Sequence, residues 1–176
     1  MNIIRNIFNT LTSTRAAGAY LLLFAIAIGV GTFIENDFGT SSAQALVYRS
    51  LWFEILLFLF SASILANIQR YRLIQLRKWG SLTFHLAIIV ILIGAGITRY
   101  FGTEGMMHIR EGQTSNTYLS AETFLIFKVQ QNDKSYSFDE PVFFSSLGNN
   151  SFSSSYQIGN NLVEVNLDNF IPNPVQ

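Results

Sequence analysis

One histidine stands in the middle of an apolar run. His85 lies in LTFHLAIIVILIGAGIT (82–98), about one and a half turns past Trp79. An ionisable side chain within a membrane-length apolar segment is costly and marks a functional hypothesis. Imidazole ligates haem iron through one ring nitrogen while an acceptor orients the other. A histidine near the membrane interface, hydrogen-bonded to a neighbouring helix, is the alternative, and the residue alone leaves both open. A six-coordinate haem needs a second ligand. The other histidine, His108, lies in the strand-like stretch 106–110, at least about 18 Å along the helix axis at about 1.5 Å per residue, so the two cannot share one iron.

Other residues invite chemistry less sharply. Arg70, Arg72, Arg77 and Lys78 cluster just before the His85 run. They read first as a topology signal, and second as partners for haem propionates or anionic lipid. Gly94 and Gly96, with Ala87 and Ala95, and Gly29 and Gly31 in an earlier run, permit close approach of a helix or a flat ligand; ordinary membrane-helix glycine is the alternative. There is no Ser/His/Asp arrangement, no metal cluster and no phosphate loop; residues 102–105 (GTEG) lack the strand–turn–helix setting of a nucleotide site. The chain has no cysteine, which excludes a disulfide scaffold, a zinc ribbon, a CxxC redox motif and covalent haem attachment to this chain.

The elements that position these residues follow from composition. Of 176 residues, 49% are hydrophobic and 12% charged, and mean hydropathy is +0.32. A soluble domain carries about 25% charged residues, so membrane segments are expected. Three spans are predicted, at 17–34, 51–68 and 80–98. The first has no charge; the second has Glu54 in its first turn beside Trp52; Trp79 and Tyr100 bracket the third at headgroup depth. Glu35, Asn36 and Asp37 after the first run, in place of a small-residue cleavage site, argue against a signal peptide.

Net charge is zero but divided. Residues 1–100 carry eight Lys/Arg against three acids; residues 101–176 carry three against eight. No basic face recurs in a soluble portion, which argues against nucleic acid as a partner. The loop between the second and third spans is purely basic, so it and the amino terminus are expected in the cytoplasm. Residues 101–176 are then extracytoplasmic. They show alternation and turn signals but no helical period: 124–130 and 136–138 flank a polar turn at 131–134, further strands are expected at 142–144, 152–158 and 162–167, and turns at 148–150 and 159–161. One antiparallel sheet is expected, incomplete, with a linker-like ending at 171–176. The fold class is thus three transmembrane helices (1–100) followed by an extracytoplasmic, mainly antiparallel β domain (101–176), truncated.

Four stretches carry a resemblance: GVGTFIENDFGT (29–40), VYRSLWFEILL (47–57), RKWGSLTFHLAIIVILIGAGIT (77–98) and EGMMHIREGQTSN (104–116). In order and spacing they resemble the amino-terminal part of the ResB/CcsB family, the membrane subunit of system II cytochrome c biogenesis. The likeness is good over roughly 14–120 and looser beyond. It implies a multi-pass protein of the inner (plasma) membrane, with its β domain on the periplasmic side. It further implies a part in transmembrane haem delivery and haem attachment to apocytochrome c, as a subunit of the cytochrome c haem lyase complex not expected to be active alone. Haem b would be bound in transit, with His85 as one axial ligand of its iron and a CcsA-type subunit or fused domain supplying the opposite histidine. Arg77 and Lys78 would meet the propionates. The alternative is a non-catalytic membrane anchor presenting the β domain to an assembly partner, with His85 structural; a two-haem electron-transfer subunit fits less well, because such helices need two histidines per haem.

The charge asymmetry makes a topology prediction. A reporter active only outside the cytoplasm should be active when fused after Gln176. Activity of a fusion within 69–80, with silence at 176, would reverse the orientation.

Overall fold

A computed structural model describes residues 2–131 and 134–172. Asn132 and Asp133 of the expected polar turn, and 173–176 of the expected linker-like ending, lie outside them. Packing divides the chain into two units, Met1–Gly102 and Thr103–Gln176.

The first unit is helical: α1 (Asn2–Leu11), α2 (Thr14–Phe38), a short α3 (Thr40–Ala43) running into a π-helical turn (Gln44–Tyr48), α4 (Leu51–Arg70) and α5 (Trp79–Phe101). Helices α2, α4 and α5 are the three membrane helices, each long and apolar enough to cross a bilayer. At about 1.5 Å per residue they are about 37, 30 and 34 Å long. All three outrun the expected spans, because polar residues at their ends stay helical. Ser13, in extended conformation, caps α2 by accepting from the Ala16 N–H at 3.2 Å. At the far end Glu35, Asn36 and Asp37 remain helical until Gly39 (φ +83°) stops the helix.

Helix α4 is central, packing against α2 on one side and α5 on the other. Five of its seven buried positions, Phe53, Leu56, Phe60, Ser63 and Asn67, recur at alternating spacings of three and four, with Ile64 and Ile68 beside the last two, the seam period of packed helices. Phe53 and Leu56 join Ala27 of α2 and Val47 of the π-helical turn in one core cluster. Phe53 stacks on Phe24 at 5.9 Å and meets Tyr48 edge-on at 6.0 Å. Gly31 makes this packing possible: a Cβ there would lie 2.6 Å from the Tyr48 hydroxyl. Gly29, Gly94 and Gly96 have nothing within 4 Å of such an atom, so within this chain they admit no close neighbour.

Between the first two spans, residues 40–48 form a helical segment packed on α2, with Ser42, Ala43 and Val47 buried. Arg99, in the last turn of α5, holds the end of that segment. Its guanidinium donates to the Tyr48 carbonyl and, at 3.0 Å, to the Arg49 carbonyl, and pairs with Glu54 of α4 at 2.9 Å. Glu54 also accepts from the Tyr100 hydroxyl. Glu54, in the first turn of α4, is therefore the anchor of an interhelical clasp.

The second unit is antiparallel β. Strands β1 (Gly105–Met106) and β2 (Leu119–Ser120), β3 (Thr123–Gln131) and β4 (Lys134–Val142), and β5 (Ser153–Ile158) and β6 (Asn161–Asn166) form three separate two-stranded ladders. This corrects the single sheet expected from the sequence. Alternation sets the half-buried face of each strand, and that face is spent on aromatic contacts between hairpins instead of lateral pairing. Phe127, opposite Phe138 in the β3–β4 ladder, contacts Phe152 and Tyr156; Phe138 lies 4.4 Å from Tyr156. The β5–β6 turn has Gly159 at φ +60° as its first central residue, as a type II′ turn requires. Two expected strands are corrected. Stretch 106–110 is strand only at Met106, and of 142–144 only Val142 is strand; Phe144 packs on Phe170. Among the described residues of this unit there is no helix.

Two stability predictions follow from these contacts. Gly31→Ala should cost about 1–3 kcal/mol by overpacking against Tyr48, while Gly29→Ala should be silent; denaturation in mixed micelles measures both. A double-mutant cycle on Glu54 and Arg99 should show coupling of about 0.5–3 kcal/mol, with Arg99→Ala the worse single change because it also abandons two carbonyls. Additive single effects would show that the clasp contributes nothing.

Candidate functional site

Helix α5 presents one partly covered stripe: Leu82, then His85, Ile88, Ile89, Leu92, Gly96 and Arg99. These recur at helical spacing on one face, and both ends of the stripe touch α4. Leu82 packs with Ile68 and Leu73, and Arg99 pairs with Glu54. The rotation of α5 is thereby set, and His85 falls on the α4-facing side. The opposite face, with Phe84, Val90, Ile91 and Phe101, is exposed.

His85 is half-buried, and its Nδ1 lies 2.8 Å from the Ser81 carbonyl oxygen one turn earlier. A carbonyl only accepts, so the neutral ring carries its proton on Nδ1. The lone pair is then on Nε2, the nitrogen free to bind a metal. Phe84 meets the ring edge-on at 6.0 Å. Among the described residues no group of three or more His, Cys, Asp or Glu is placed to hold a metal ion. His108 belongs to the second unit, in irregular, exposed chain.

The basic loop before α5 is wound, not slack. Arg72 and Arg77 both adopt positive φ, +48° and +50°. Each occupies the left-handed position of a helix-ending motif. The Arg72 N–H donates to the Gln69 carbonyl (3.0 Å) and the Leu73 N–H to the Ile68 carbonyl (3.1 Å), with Leu73 packed on Ile68. Five residues on, the Arg77 N–H donates to the Ile74 carbonyl (3.1 Å) and the Lys78 N–H to the Leu73 carbonyl (3.0 Å). This is the paired pattern of the Schellman motif, whose left-handed residue is usually glycine. Arginine there carries strain of roughly 1–2 kcal/mol. Among the described residues neither Arg77 nor Lys78 has a carboxylate partner. Lys78 precedes the first turn of α5, seven residues and about 10 Å of axis before His85 on the same helix side. Arg70, grouped with them by sequence, is a structural residue: it donates to the Thr12 carbonyl (3.1 Å) and the Asn9 carbonyl (3.4 Å).

A groove of about 420 Å³ opens between α2 and α4, lined by Leu23, Ile26, Val30, Trp52, Ile55 and Leu59 among others. It is apolar, has no His, Cys, Asp or Glu in its lining, and is not lined by His85.

The sequence singled out His85, Arg77 and Lys78, and the structure places all three within the first turns of one helix and its approach. It missed the Ser81 carbonyl, which no side-chain pattern reveals, and the Glu54–Arg99 pair, whose signal was one acid and one base in facing spans.

This stretch also carries the likeness to known proteins. Over 119 residues, 68% of its length, the chain is 44% identical to Protein NrfI of Wolinella succinogenes, and it spans 13% of that protein's length. Residues 75–161 match the model of the ResB-like family. The match runs from the basic loop through the His85 helix into the β5–β6 hairpin, and the chain belongs to the ResB-like family.

Proposed function

We propose that the chain serves system II cytochrome c biogenesis and that His85 is one axial ligand of haem b in transit through the membrane toward apocytochrome c. The observation that carries this reading is the His85–Ser81 hydrogen bond. It holds the ring in the tautomer whose Nε2 is a ligand, on the single intramembrane imidazole of the chain. Haem is the cargo, and its iron takes two axial ligands. A CcsA-type subunit or fused segment supplies the opposite imidazole. Arg77 and Lys78, about two turns before His85 and without carboxylate partners, supply positive charge for the propionates. The wound loop holds that charge close to the ring. In this reading the basic loop is cytoplasmic by the charge rule, the membrane is the inner (plasma) membrane, and the β unit faces the apocytochrome outside.

The ligand role has a specific test in the complete protein with its partner. His85→Gly should remove the Soret band, an effect beyond the roughly 10–100-fold affinity loss that even an outer-shell partner's removal brings. Added imidazole should restore much of the haem and of cytochrome maturation, by filling the cavity as a free ligand. His108→Ala should leave both near normal. Full haem content in the His85→Gly protein would overturn the assignment in favour of the anchor reading.

A further inference from the structure

Helix α1 has no part in the site above, and it is built with care. Ile3, Ile4, Ile7, Phe8 and Leu11 fall within an arc of about 140° at about 100° per residue, and Arg5, Asn6, Asn9 and Thr10 fill the other side. The apolar arc is uncovered: Ile3 is 75% exposed and Ile4 78%. A short helix with such a face is ordinarily marginal in water.

The chain nevertheless fixes where this helix sits. Its last carbonyls, which a helix end leaves without partners, are claimed by side chains from the spans. The Leu11 carbonyl accepts from Ser63 (3.0 Å) and Tyr20 (3.1 Å), and Arg70 takes those of Asn9 and Thr12. Thr14, at the head of α2, bonds Asn67 (3.2 Å) and Tyr71 (2.8 Å). Ser63, Asn67 and Arg70 lie on one face of α4, so the elbow between α1 and α2 is pinned to the last two turns of a membrane helix. Only Thr12 and Ser13 separate α1 from α2. Charge marks the same end. Arg5, Arg15, Arg70, Arg72, Arg77 and Lys78 gather there, while Glu35, Asp37 and Glu54, the acids of this unit, sit at the opposite helix ends. The neighbouring loop repeats the composition, with Ile74 and Leu76 exposed between its basic residues and Trp79 exposed just after them.

We infer that α1 is an interfacial helix. It lies along the membrane surface at the basic end of the bundle, with its Ile3–Ile4–Ile7–Phe8–Leu11 face sunk at the boundary of headgroups and acyl chains and Arg5 among the phosphates. The occupant of the exposed face is lipid. The two-residue link to a span leaves α1 no room to leave the interface, and the six basic residues without an acid match a phosphate-bearing surface.

The chain contains no cysteine, which allows a clean test. Single cysteines replace Ile4, Phe8, Asn6 and Asn9 in the full chain, reconstituted in vesicles of phosphatidylcholine and phosphatidylglycerol and spin-labelled. Collision with oxygen, which partitions into lipid, is compared with collision with a water-soluble nickel chelate. Ile4→Cys and Phe8→Cys should favour oxygen several-fold over Asn6→Cys and Asn9→Cys, following the helical period. Chelate access at all four positions would put α1 in water. Protection of Ile4→Cys and Phe8→Cys from both reagents would put a protein surface, a second copy or a partner, on that face. Either result overturns the proposal.

Discussion

Arg99 is the residue on which the membrane unit turns. A guanidinium near the end of a span must find partners, and this one finds them on two other elements at once. It pairs with Glu54 at the start of α4 and caps carbonyls at the end of the π-helical turn that packs on α2. Three spans are thus joined at one end by one side chain. At the other end α5 meets α4 and the loop after it through apolar contact, Leu82 against Ile68 and Leu73. Between two such fixed points a helix cannot rotate, and His85 inherits its direction from them. In lipid, apolar contact alone discriminates weakly between one helix face and another. A polar clasp and a wound loop are what give α5 a unique rotation.

The spans were legible because a membrane imposes a length and a composition that few soluble elements share. Their ends were not, since caps such as Ser13 and stops such as Gly39 act on residues that are polar anyway. Helix α1 and the 40–48 segment escaped notice for a related reason. Both are short, and what makes them helices is docking: Ser63, Asn67 and Arg70 in one case, Gly31 and Ala27 in the other. In the second unit, alternation announced strands but not their partners. Nothing in FLIFKVQ says that Phe127 spends its inward face on Tyr156 and Phe152 of another hairpin.

The site shows the same division. His85 was legible as the one ionisable group deep in an apolar run. Its tautomer was not, because that depends on a backbone oxygen, and a backbone oxygen has no letter in the sequence. The basic loop was legible as charge but not as shape. Left-handed backbone is normally announced by glycine, and here arginine occupies it twice.

Those two arginines place conformational economy and charge in opposition. Glycine at 72 and 77 would relax the backbone, and a screen that rewarded only resistance to heat or detergent would drift toward it. Each such step would also strip a positive charge from the loop that opens the His85 helix, leaving a sturdier bundle with a weaker electrostatic mark. At those two dihedral angles, where arginine is an uncomfortable choice, the loop carries its charge at the expense of backbone ease.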